Sequence, residues 1–593
     1  MAKNNKKQSL VVSRYSGTTS GSEVKKLQTE IERLKRELKK RKKYGLVWEE
    51  KQEEVVEMCK KKLPVLKEVK NKEIITDKDK PVNLLIEGDN YHALSVLNYT
   101  HAKKVDVIYI DPPYNTGKKK EWKFNDKWVD QDDTYRHSKW LASMEKRLKL
   151  AKNLLKSTGV IFVSIDDNEA AQLKLLMDNP DLFGEKNFVS LITIYSNPRG
   201  RQSTSNIAPT HEYLLLYLKT ELGKITGEPL SEERKKEYKY RDKKGYYREI
   251  GLRLRGGRAT AEQSPTLYFP IYVNSKSAAI SLENKSGYIK IIPKFENGTL
   301  GTWRWSKKKI IEDIDKLIAR PVNGKQGKRW DIFEKDYLSE EKSLKVKSVW
   351  FDKEINYDNG ADEIKMLFGR KVFDYPKPVA LIDKILKIST DKESLILDFF
   401  AGSGTTAHAV LNLNRKDGGS RQFILCTNNE NNICTDVCYP RVKKVIEGYK
   451  NLKGQKVEGL GGNLKYFKTD FVNYDEPTDK NKIKLTKQAT EMLCVKEGTF
   501  EKVLPARRSL GAGGGQKNFK IFKNTNHYTG IMVDQAAIPA FKKAIKSVKG
   551  KFSVYIFSLG DETFDDEFKN VKQKVQLSPI PEAILRVYRR IFK

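Results

Sequence analysis

Cysteine is scarce in this chain: 593 residues carry five, at positions 59, 426, 434, 438 and 494. So sparse and odd a set excludes a disulfide framework and points to the reducing cytoplasm. Cys434 and Cys438, with His408 nearby in sequence, lack the second pair of ligands that a structural zinc site needs, so no metal is expected. Long apolar runs are missing too. Nothing approaches the roughly 20 residues that span a bilayer, and the polar, basic N-terminus has no apolar core of signal-peptide type, so a soluble protein without a membrane partner is expected. Acidic residues fall short of basic ones, 77 against 113, which leaves a formal net charge of +36 and a pI near 9.6. Such a balance disfavours cationic partners and favours a polyanion such as nucleic acid, although a general lysine enrichment reads the same way.

Asp111-Pro112-Pro113-Tyr114, which follows the apolar run Val105 to Ile110, is the most informative segment present. It suits methylation of an exocyclic amino group. The amine of a nucleobase is a poor nucleophile, its lone pair delocalised into the ring, so a catalyst must accept hydrogen bonds from its protons. The Asp111 carboxylate and the Pro112 carbonyl supply two acceptors, and Tyr114 offers a face for a flipped-out base. Read alone, a strand-ending Pro-Pro turn is the alternative. A second pattern lies near residue 400: a buried strand, Leu395 to Asp398, runs into Phe399-Phe400-Ala401-Gly402-Ser403-Gly404-Thr405-Thr406 and then a helix from Ala407 to Leu413. Strand, glycine turn and helix N-terminus together admit an anionic group to backbone N–H donors.

With both patterns present, the chain resembles the β group of amino-methyltransferases, and more narrowly the modification (Mod) subunit of type III restriction-modification systems. The matching stretches are LLIEGDNYHAL (84–94), VIYIDPPYNTG (107–117), YRHSKWLASMEKRL (135–148), GVIFVSIDDNE (159–169), HEYLLLY (211–217), FDYPKP (373–378) and ILDFFAGSGTTAHAV (396–410). The resemblance implies S-adenosylmethionine as cofactor, adenine N6 in double-stranded DNA as acceptor, a homodimer, and a Res (helicase-nuclease) partner. It implies Asp111, Pro112, Pro113 and Tyr114 as catalytic residues, with Asp111 also expected at the cofactor. It places Phe400, Gly402, Gly404 and Thr405 around the cofactor's methionine portion, with Asp398 beneath and Phe373 and Lys377 closing the pocket. Glu430 is the implied ribose acid, a role open equally to Asn428. Asp89 falls near the cofactor's adenine, or simply caps a helix.

Short apolar strands alternating with helices predict an α/β fold, a doubly wound, mostly parallel, Rossmann-like methyltransferase sheet with ligands at the strands' carboxyl ends. Residues 80–229 form its catalytic half and 365–475 its cofactor half. An insertion at 230–364 interleaves Tyr238, Tyr240, Arg241, Tyr246, Tyr247, Arg248, Arg253, Arg255 and Arg258. These types stack on bases and grip phosphates, with Tyr246, Arg253, Arg255 and Arg258 as the named DNA contacts; a solvated basic subdomain with an aromatic core is the alternative. Residues 1–79 are expected to be a helical accessory region, with a heptad stripe from Val24 to Leu38 and a charged helical connection over 46–75. Residues 476–593 form a C-terminal domain, which the resemblance ties to dimerisation. Three other readings stay open: a solitary adenine methyltransferase, an N4-cytosine enzyme, and a DNA-recognition subunit with a silent pocket. Asp rather than Ser before Pro-Pro-Tyr favours adenine among relatives of this type.

Overall fold

The computed structural model describes residues 53–592 except 117–135, 201–205, 325–326, 340–341, 475–477, 504–517, 526, 561 and 563. The heptad stripe falls outside the described residues. Two compact units emerge: one joins residues 1–224, 348–383 and 390–593, and the other joins residues 225–347 and 384–389.

An eleven-stranded sheet organises the first unit. Its order is Lys62–Glu68, Asn463–Asn473, Val82–Glu87, Gln422–Thr427, Leu395–Asp398, Val105–Ile110, Leu155–Ile165, Glu212–Leu218, Phe188–Ile194 and Val349–Trp350, with Ile74–Ile75 added to Asn463–Asn473. The pairings from Asn463–Asn473 through Leu155–Ile165 are all parallel, and Glu212–Leu218 runs antiparallel to both of its neighbours. Parallel strands are covered on both faces and therefore read as continuous apolar runs. Leu85, Ile86, Val107, Ile108, Ile110, Leu397 and Leu425 are accordingly buried. Each contributes roughly 1.5–3 kcal/mol through that burial.

Strand order explains how segments almost 290 residues apart share one rim. Leu395–Asp398 and Val105–Ile110 lie side by side, with Ile396 opposite Val107 and Leu397 opposite Ile108. From the first the chain returns leftward to Gln422–Thr427, and from the second rightward to Leu155–Ile165. That divergence is a switch point, where the loops after adjacent strands part and leave a crevice.

Two readings of the accessory regions need correction. Residues 46–75 do not form one helical connection: a helix covers Glu54–Lys61, and Lys62–Glu68 then pairs antiparallel with Asn463–Asn473 as the sheet's edge. Pro64 disguises that strand, yet an edge position tolerates it. The insertion also ends earlier than residue 364. Val349–Trp350 pairs parallel with Phe188–Ile194, so the chain has rejoined the main sheet by then, through a strand too short to show periodicity. The C-terminal region builds its own five-stranded sheet, Glu501–Val503, Phe519–Lys523, His527–Met532, Lys551–Phe557 and Lys574–Ile580. Its last helix, Glu582–Ile591, sends Ile584, Leu585 and Tyr588 into the cluster that also holds Ala93, Leu94 and Leu97. The Tyr588 hydroxyl donates to the Pro64 carbonyl at 2.5 Å.

The second unit has a four-stranded antiparallel sheet, Leu317–Gly324, Gly327–Tyr337, Gly245–Gly251 and Tyr240–Asp242, and a three-stranded one built on Ile271–Asn274. Its core gathers Leu252, Phe269, Ile271, Trp303, Trp305 and Ile332.

Candidate active site

Four adjacent parallel strands deliver the site. Asp89 follows Val82–Glu87, Asn428 and Glu430 follow Gln422–Thr427, Asp398 ends Leu395–Asp398, and Asp111 follows Val105–Ile110. Proline ends the last of these by removing the ladder's N–H donors. Asp111 therefore leaves the sheet at its carboxyl edge.

A cleft of about 740 Å³, part of it open to solvent, runs along this rim between Pro113 and Asn115 on one side and Asp89, Phe399, Phe400, Thr427, Asn428 and Glu430 on the other; Trp140, Met144 and Arg147 add to its lining. Asp89 is both a cap and a wall: its carboxylate accepts from the Tyr91 N–H at 2.7 Å and lies 3.6 Å from the Arg147 guanidinium. Thr427 Oγ1 and Asn428 Oδ1 are buried without a hydrogen-bond partner among the described residues. Unpartnered buried polar atoms call for a ligand. Together with two aromatic rings and the carboxylates of Asp89 and Glu430, they fit a nucleoside-bearing cofactor.

The remaining residues expected at the cofactor take other places. Phe373 is half-buried in the segment that leads to Lys377, and neither it nor Asp111, also expected at the cofactor, lines the cleft. Asp398 has both oxygens engaged within its own turn, accepting from the Phe400 N–H at 3.0 Å and the Thr406 hydroxyl at 2.6 Å. Gly402 and Gly404 both have positive φ, 51° and 80°. At Gly404 a Cβ would stand 3.2 Å from Cys438 Sγ, so this glycine serves close packing against the neighbouring helix. Thr405 is held by the fully buried Arg441, whose Nη1 donates to Thr405 Oγ1 at 2.8 Å and Ser403 Oγ at 2.9 Å.

Lys377 joins the two motifs. Thr405 Oγ1 donates to its carbonyl at 3.1 Å, and its ammonium lies 2.8 and 2.9 Å from the two oxygens of Asp111. The same ammonium donates to the Tyr114 hydroxyl at 2.9 Å and stands 3.5 Å from Glu212. Burial alone would depress this lysine, but the Asp111 and Glu212 carboxylates outweigh it and hold its pKa above the ordinary value. The Tyr114 hydroxyl has Asp111 Oδ1 and Glu212 Oε2 each at 2.8 Å, and Tyr357 donates to Glu212 at 2.5 Å. Burial, then the neighbouring carboxylates, push both phenols well above the usual range, so they remain protonated donors.

Trp140 takes the Pro113 carbonyl at 2.7 Å, whereas no donor among the described residues reaches the Pro112 carbonyl. One acceptor is spent on structure and the other stays open. Asn115, at φ 56°, donates to Glu169 at 2.5 Å, and His137 lies 2.7 Å from the same carboxylate. Sequence reading singled out none of Glu212, Tyr357 or Arg441. Glu212 left one trace, an acid opening an otherwise apolar strand.

Burial lifts the Asp398 carboxyl to about 7. A folded-state value above the unfolded one means that the folded state favours the proton, so this group's contribution is present at low pH and lost as pH rises from about 4 to about 7. Asp398→Asn is expected to flatten that decline. Wild type and variant should melt within a few degrees of each other at pH 5, with the variant gaining at pH 8; equal gains at both values would refute it.

In the second unit, Arg255 and Arg258 are exposed around Gly256 and Gly257, and neither pairs with a carboxylate among the described residues. Tyr246 is exposed under the Arg241 guanidinium, 5.1 Å from its ring centroid. Arg253 instead donates to the Lys294 carbonyl and stacks 5.1 Å from Phe295. Tyr238 and Tyr247 are buried and Arg248 bridges Glu237 and Asp336, so these three belong to the unit's own packing.

A family model described as DNA methylase matches residues 105–437. The Type II methyltransferase M.KpnI of Klebsiella pneumoniae is 36% identical over 384 residues, covering 63% of this chain and 89% of that protein. The Type III restriction-modification enzyme EcoPI Mod subunit of Escherichia phage P1 is 37% identical, over 59% of this chain and 58% of its own length. The StyLTI Mod subunit of Salmonella typhimurium is 36% identical, over 58% and 52%. The chain thus spans between half and three-fifths of the type III subunits that it matches.

Proposed function

The chain belongs to the DNA methylase family, and from that premise we propose that it methylates the N6 amino group of adenine in double-stranded DNA, using S-adenosylmethionine, as the modification subunit of a type III system. One observation carries the reading: the Asp111 carboxylate and the open Pro112 carbonyl end the strand adjacent to the one that enters the glycine turn. The bound cofactor supplies an electrophilic methyl group. Asp111 accepts a hydrogen bond from the amine and draws its lone pair out of conjugation, the Pro112 carbonyl accepts the second N–H, and Tyr114 steadies the ring. Orientation of this kind is worth several kcal/mol of barrier, up to about 7–11 in favourable cases. Asp89 and Glu430, both lining the cleft, are the carboxylates available to accept from ribose or adenine donors. Arg255, Arg258 and Tyr246 are exposed groups of the second unit suited to phosphate and base contact. A homodimer and a Res subunit are the partners that this reading entails.

The match to M.KpnI over 89% of its length favours a second reading, a methyltransferase that acts without a Res subunit. Expression in a host without DNA methylation, followed by sequencing that detects modified bases, separates the two. N6-methyladenine on one strand of an asymmetric motif is the expected result. A palindrome modified on both strands supports the second reading, and N4-methylcytosine overturns the adenine assignment.

A further inference from the structure

The Lys377 ammonium stands where the substrate amine must arrive. It bridges both oxygens of Asp111, at 2.8 and 2.9 Å, and is almost wholly buried, its side chain 7% exposed. A base amine that bonds to Asp111 meets an acceptor already taken by a better donor. The surroundings contain a second place for that donor. Glu212 lies 3.5 Å from the same nitrogen, on the opening residue of the antiparallel strand Glu212–Leu218. Two carboxylates share one ammonium here. The Tyr114 hydroxyl also has one proton and two acceptors, Asp111 and Glu212, each at 2.8 Å. If the ammonium moves onto Glu212, that proton turns to Asp111, and no buried polar group is left without a partner. The rings of Tyr357 and Tyr114, with centroids 4.8 and 5.0 Å from the ammonium, flank it and favour a cation. The Lys377 backbone stays fixed meanwhile, because Thr405 of the glycine turn holds its carbonyl at 3.1 Å.

We propose that Lys377 is a positioning residue that occupies Asp111 in the resting enzyme and is handed to Glu212 when the target base enters, so that Glu212, Tyr114 and Lys377 form an exchange device for base insertion. The resting ion pair keeps Asp111 oriented in a partly desolvated site, and the exchange releases its Oδ2 only when a base is present, while Oδ1 keeps the Tyr114 hydroxyl. The anchor through Thr405 ties the lysine to the glycine turn of the cofactor half. This inference rests on the adenine reading given above.

The test is an equilibrium titration of full-length protein, with S-adenosylhomocysteine present, against a duplex of the enzyme's own motif carrying 2-aminopurine at the target adenine. Fluorescence reports the extruded base. Lys377→Met removes the occupant: base insertion is expected to strengthen by about tenfold, equivalent to about 1.4 kcal/mol, while turnover on the unmodified duplex falls. Glu212→Gln removes the destination: insertion is expected to weaken by a similar factor, with cofactor affinity by calorimetry unchanged. A merely structural lysine predicts that both variants weaken insertion together, and that outcome overturns the exchange. If Lys377→Met does not fold, Lys377→Gln, which removes the charge and keeps a polar group, takes its place, and insertion no tighter than wild type there refutes the proposal. A wild-type protein that extrudes no base from its motif overturns the adenine reading and this inference with it.

Discussion

Asp111→Asn is expected to lower single-turnover methylation by about three orders of magnitude, in line with the cost of losing one preorganised polar partner at a reacting centre. The asparagine keeps the shape of the side chain but accepts with one atom instead of two. Its amide nitrogen, a donor, must then face either the Lys377 ammonium or the incoming amine, and both are donors. Removing one member of a buried ion pair commonly costs about 3–5 kcal/mol. Here the loss is smaller, because Glu212 stands 3.5 Å from the same ammonium and remains. The variant should therefore fold, melt a few degrees lower, and bind S-adenosylmethionine by calorimetry with wild-type affinity, since Asp111 does not line the cleft. Turnover within about tenfold of wild type, a barrier change near 1.4 kcal/mol, would remove Asp111 from the chemistry.

The parts of this molecule that sequence discloses are those whose signal is local. Val105–Ile110, Leu395–Asp398 and Gln422–Thr427 sit in the middle of a parallel sheet, so apart from Asp106 their polar residues fall at the ends, and the apolar run announces the strand. The edges do not. Lys62–Glu68 is charged at both ends and broken by a proline in its short apolar middle, and Val349–Trp350 is two residues long. Likewise Asp111 and Tyr114 are neighbours in one motif, whereas Lys377 reaches Asp111 across 266 residues and Tyr357 reaches Glu212 across 145. Only the strand order brings them together, and no spacing rule encodes it. Composition also misleads in the second unit, because a small β-domain builds its interior from the same tyrosines and arginines that grip DNA. Tyr238, Tyr247 and Arg248 are spent on that interior, while Arg255 and Arg258 are left facing solvent.

Arg441→Met is expected to destabilise the protein by about 3–5 kcal/mol, the usual cost of breaking a buried charge pair from one side. Arg441 is fully buried, on the helix Tyr439–Glu447. Its Nη1 holds Ser403 and Thr405 and its Nη2 lies 3.3 Å from Glu363, whose carboxylate also accepts from the Val379 N–H at 3.1 Å. One guanidinium therefore fixes the glycine turn to the start of the helix Val379–Ser389, two residues beyond Lys377. Methionine fills part of the space and satisfies none of these oxygens. Glu363, already pushed upward by burial, loses the neighbouring cation that opposes the shift and should be raised further. The damage should reach the cleft as well, because Thr405 holds the Lys377 carbonyl and its turn carries Phe400. Cofactor affinity is expected to fall by about tenfold or more, a loss of at least 1.4 kcal/mol. Arg441→Lys should recover only part of either loss, since an ammonium cannot reproduce the planar fork that serves three oxygens at once. Urea unfolding and calorimetric titration of the two variants check this together. Full recovery by lysine would mean that charge alone matters here, and a wild-type unfolding midpoint for the methionine variant would show that the strap bears no strain.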